Sequence, residues 1–101
     1  MTIFAIVDHS AGAVQVGLNM PNTKLVIFRN PKGGAPFMLT DPNFSIELPL
    51  KIVLRENKDT TEIVYQKMGE LATRYQVAEL QNSIRKMDEG IEAIIKQVIT
   101  K

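Results

Sequence analysis

A chain of 101 residues, 45% of them apolar, holds one small domain with a core of its own and not two. Twelve basic against 11 acidic residues leave a formal charge of +1, which argues against nucleic-acid recognition through a strong basic face. With no cysteine and one histidine, disulfides and thiolate metal sites are excluded and a histidine-based metal centre is disfavoured.

The start, "MTIFAIVDHS", has neither a basic leading segment nor a small-residue cleavage site, so it does not read as a signal peptide. No apolar run approaches the roughly 20 residues that cross a bilayer. The expectation is a cytoplasmic protein that binds neither nucleic acid nor membrane.

"TIFAIVD" (2–8) is apolar at nearly every position and too short for a buried helix. It reads as a strand covered on both faces. Asp8 or Ser10 can cap the weak helical segment "AGAVQVGLN", which Pro21-Asn22 ends. "KLVIFR" (24–29) is a second strand, again apolar on both faces. The interval of about fourteen residues between them is that of a short crossover and fits a parallel pair.

Asn30-Pro31 stops that strand. Pro31 suits the first turn of a helix, where its missing N–H costs nothing, and "GGAPFMLTD" continues as a short, irregular helix. Asp41-Pro42 is a turn or the cap of another short helix, "PNFSIEL". "LKIVLRE" (50–56) alternates, with Leu50, Ile52 and Leu54 on one face and Lys51 and Arg55 on the other. "NKDT" links it, hairpin-fashion, to an antiparallel partner "TEIVYQ" (61–66).

From about residue 68 onward the chain reads as helical. Val77, Leu80, Ile84, Met87, Ile91, Ile94 and Val98 recur at alternating steps of three and four. Such a stripe serves either an intersubunit coiled coil or one long amphipathic helix lying on the sheet. The positions flanking the seam, among them Gln81, Ser83 and Ile95, lack the opposed charges that pair dimeric coils, which favours the second. The fold class is therefore α+β: a small four-stranded mixed sheet, short helices in the connections and a long C-terminal amphipathic helix. Met20, Met38, Met68 and Met87 read as core filler, and Tyr65 and Tyr75 as edge residues with wet hydroxyls.

The order of "FAIVDHSAGA", "LVIFRNPKGGAPFM", "ELPLKIVL" and "YQKMGELATRYQV" resembles the domain-of-unknown-function family numbered 302. The marks are Asp8-His9 closing one strand, Asn30-Pro31-Lys32 closing the next, and Leu48-Pro49-Leu50-Lys51 leading into a third. The tail "GIEAIIKQV" is similar to the family's last helix, so the likeness runs from about residue 2 to 98 of a single domain spanning 1–101. It implies an α+β domain, often paired into a homodimer, with no established activity. Two departures stand out: the family's usual helix ahead of the first strand is missing, and Arg29 replaces a small residue before Asn30. A start at Met1 that reflects a lost upstream helix is a further expectation to weigh.

A parallel first pair would bring Asp8-His9 and Asn30-Pro31-Lys32 to one sheet edge, where open α/β sheets place ligands. The N–H groups of Gly33 and Gly34, with Lys32 beside them, could then hold a small anion, and His9 could change charge near neutrality. The ligand-binding set on this reading is Asp8, His9, Asn30, Lys32, Gly33 and Gly34. The plainer reading makes Asp8 a helix cap, His9 a loop residue and Asn30-Pro31 a strand stop. Neither G-x-x-x-x-G-K-[ST] nor G-x-G-x-x-G is present, and one histidine without cysteine or a G-x-S-x-G elbow gives little for nucleophilic catalysis. The favoured function is a non-enzymatic interaction module whose partner is a second copy of the chain, which would cover apolar strands that the chain itself leaves open; the alternative is a small anionic-ligand-binding or catalytic domain using His9, Asn30 and Lys32, and no metal or cofactor is expected.

Overall fold

The computed structural model describes residues 2–99, the side chains of 98 and 99 excepted, so the stripe position Val98 lies outside the described side chains. Its strands are β1 (Thr2–Asp8), β2 (Thr23–Arg29), β3 (Lys51–Asn57) and β4 (Thr60–Tyr65). Its α-helices are α1 (His9–Gln15), α2 (Pro31–Thr40), α3 (Met68–Ala72) and α4 (Gln81–Ile99), with 3-10 turns at Pro42–Glu47 and Ala78–Leu80. This is the expected small α+β fold with a long C-terminal helix. The chain resolves into two compact units: the sheet with α1 (2–29 and 50–65), and the helices (30–49 and 66 onward).

The sheet runs β1-β2-β3-β4 and every neighbour pair is antiparallel. The expected parallel pairing of β1 and β2, and with it the mixed sheet, is therefore corrected. The interval after β1 is not a crossover. Helix α1 ends within two turns, and Gly17, at φ +80°, turns the chain back in a conformation that a side chain would strain.

Rows of directly opposed residues cross all four strands. Ile6, Val26, Ile52 and Tyr65 form one row on one face, and Val7, Leu25, Val53 and Val64 form one on the other. Val26, Phe28 and Ile52 are buried on the first face, whereas Leu25, Ile27 and Val53 on the second are half-buried and Val64 is exposed. The β3–β4 hairpin turns through Lys58, held at φ 58°, and is fastened by Arg55 paired with Glu62 at 2.5 Å.

In the helical unit Phe37 and Phe44 are fully buried and stack at 5.1 Å, and Tyr75 meets Phe44 edge-on at 4.9 Å. Such ring pairs add roughly 0.5–1.5 kcal/mol each beyond the area they bury. Ile84, Met87 and Ile91 of the predicted stripe are buried with Val77, and Leu80 and Ile94 are half-buried. The stripe is not one helix from 68 onward, because the chain breaks between α3 and the 3-10 turn at Ala78. Asp88 on α4 bridges the break. Its carboxylate accepts the N–H groups of Met68 (2.6 Å) and Gly69 (3.2 Å), capping α3 where Lys67 supplies no side-chain cap. Of the methionines read as core filler, Met68 and Met87 are buried, Met38 is half-buried and Met20 is exposed.

Candidate functional site

Antiparallel pairing separates the residues expected at one sheet edge. Asp8 lies opposite Lys24 at the start of β2, while Arg29, just before Asn30, lies opposite Thr2. These positions are five residues apart along β2, roughly 17 Å at strand rise.

At the first position Asp8, and not Ser10, caps α1. Its Oδ1 accepts the Ser10 hydroxyl (2.6 Å) and the Ala11 N–H (2.9 Å), and the buried Ser10 oxygen in turn accepts the Thr23 N–H at 3.2 Å. The Ser10 hydroxyl, then the Ala11 amide, holds the Asp8 carboxyl below the usual aspartate range. His9 is exposed in the first turn of α1.

At the second position Asn30 caps α2. Its Oδ1 accepts the Gly33 N–H at 3.1 Å, its carbonyl accepts the Gly34 N–H at 2.9 Å, and its Nδ2 donates to Met87 Sδ at 3.5 Å. The two amides expected to hold an anion are thus engaged within the chain, and Lys32 beside them is exposed. The glycines do not make a turn, since both sit inside α2. Gly33 answers a different need: a Cβ there would lie 2.6 Å from Met87 Sδ and 2.7 Å from Asn30 Nδ2.

Two polar constellations escaped the sequence reading. In the helical unit Tyr75 donates to Glu47 at 2.5 Å, which pushes the phenol above its usual range, and Arg74 stands 4.0 Å from the same carboxylate. The Tyr75 hydroxyl is therefore bound rather than wet. Nearby in sequence to Glu47, Asp41 accepts the N–H groups of Asn43 (3.1 Å) and Gln76 (3.0 Å). In the sheet unit a cleft of about 290 Å³ opens over Leu54 among Asp8, Lys24, Asn22, Glu56, Arg55 and Thr61. Its charges are largely matched internally, Asn22 bonding Glu56 at 3.0 Å and Arg55 pairing with Glu62. Asn57, then Arg55, keeps the Glu62 carboxyl low. Among the described residues no acid and histidine group has the arrangement of a metal site.

The feature that stands apart is apolar. Among the described residues β1 is an edge strand, unpaired on its outer side, and Ile3, Phe4, Ile6 and Val7 are 60%, 55%, 56% and 40% exposed. Ile3 and Ile6 share the face of Phe28 and Val26, and Val7 shares that of Leu25, so both faces of the strand are greasy and open. Val14, Val16 and Leu18, which follow, are exposed too. Of the two covers expected for β1, the chain's own helix and a second copy, the first is not supplied within the single protomer. The departure at Arg29 has a structural use here: its guanidinium carbon lies 5.6 Å from the centre of the Phe4 ring, at cation–π range.

Comparison with known proteins adds two findings. The model of a family described as "Domain of unknown function DUF302" matches residues 1–98. Part of the chain, 57 residues or 56% of it, is 39% identical to proteins named "Fluoride-specific ion channel FluC 1" from Brucella suis and Brucella abortus and "Fluoride-specific ion channel FluC 2" from Brucella melitensis. The matched segment covers only 21–22% of those relatives. Among the described residues, no helix of this chain is long and apolar enough to cross a membrane.

Proposed function

From the premise that the chain belongs to the Domain of unknown function DUF302 family, we propose that it is a non-enzymatic cytoplasmic interaction module that works as a homodimer. One observation carries the reading: the exposed apolar β1. Taking about 200 Å² for a large apolar side chain in the open, its four large residues present roughly 400 Å² of apolar surface over the two faces of an edge strand, a size at which a monomer's largest apolar patch often serves an interaction. The polar residues that invite a catalytic reading serve as caps, Asp8 for α1 and Asn30 for α2. Light scattering at micromolar concentration tests the proposal. A mass of twice 11.3 kDa, about 22.6 kDa, supports it, and a stable, folded 11.3 kDa species ends it.

The match to proteins named as fluoride-specific channels favours a second reading, a module that responds to a small anion through Lys32. Thermal unfolding in fluoride against chloride at equal ionic strength tests it. A fluoride-specific rise in Tm that disappears in Lys32→Ala supports this reading, and equal Tm in both salts retires it.

A further inference from the structure

We draw no further inference here: the strongest candidate, the open apolar edge of the sheet along β1 with its exposed Ile3, Phe4, Ile6 and Val7, carries nothing beyond the homodimer reading because nothing in the structure shows what covers it.

Discussion

Replacing Asn30 distinguishes a loop built to cap a helix from one built to bind a ligand. Asn30→Ala removes the acceptor for the Gly33 N–H and the donor to Met87 Sδ. Loss of an N-cap costs about 1 kcal/mol. The bond to sulfur, a weak acceptor, adds a few tenths. For a domain this size roughly 4–8 °C of Tm accompanies each kcal/mol, so Asn30→Ala should melt about 4–10 °C lower. Asn30→Asp keeps the acceptor and places a negative charge at the start of α2, an interaction that contributes about 0.3–1 kcal/mol and offsets the lost sulfur bond. It should remain within about 0.5 kcal/mol of the parent. Gly33→Ala gains up to about 1 kcal/mol of helix propensity. The 2.6 Å approach of its Cβ to Met87 should nevertheless turn the net effect destabilising. The assay is urea and thermal unfolding by far-ultraviolet circular dichroism at pH 7 and one protein concentration. If Asn30→Asp is as unstable as Asn30→Ala, the capping argument is wrong.

Three other outcomes are expected. Asp8 has a lowered carboxyl pKa in the fold, so its contribution is present above the ordinary value of 3.8 and is lost as pH falls through the folded value. The Tm difference between the parent and Asp8→Asn should therefore be constant near neutrality and shrink below about pH 4. Phe44→Ala empties a fully buried position between Phe37 and Tyr75 and should cost about 3–5 kcal/mol, read as a fall in the urea midpoint, with Phe44→Leu well above it. Asp88→Ala strips the cap from α3 and should cost about 2 kcal/mol, because two amides at a helix start lose a charged acceptor. A cost near zero would mean that water serves those amides equally well.

The kinds of element were legible because each left a local pattern: apolar runs for β1 and β2, alternation for β3, a 3–4 stripe for α4. Strand direction left none. The interval between β1 and β2 suits a crossover or a folded-back helix equally, and only Gly17 at φ +80°, one glycine among six, marks the reversal. One shared ligand site rested on a parallel pair and lost that support, although the cap signals within the set, Asp8 and Asn30, were local and readable. The long-range bonds could not be read. Asp88 with Met68, Asp41 with Gln76 and Tyr75 with Glu47 join residues 20 to 35 apart, and nothing in the identity of one names the other. The apolar character of β1 was plain in "TIFAIVD", but a fully apolar strand reads as buried on both faces whether its cover comes from its own chain or from another.

The most direct test of that cover is amide hydrogen exchange across residues 2–8 as a function of protein concentration. The account predicts that this segment becomes protected as concentration rises through the range where light scattering detects the dimer, while β3 and β4 do not change. Exchange in β1 that stays rapid and independent of concentration, in a protein that is otherwise folded, would contradict it.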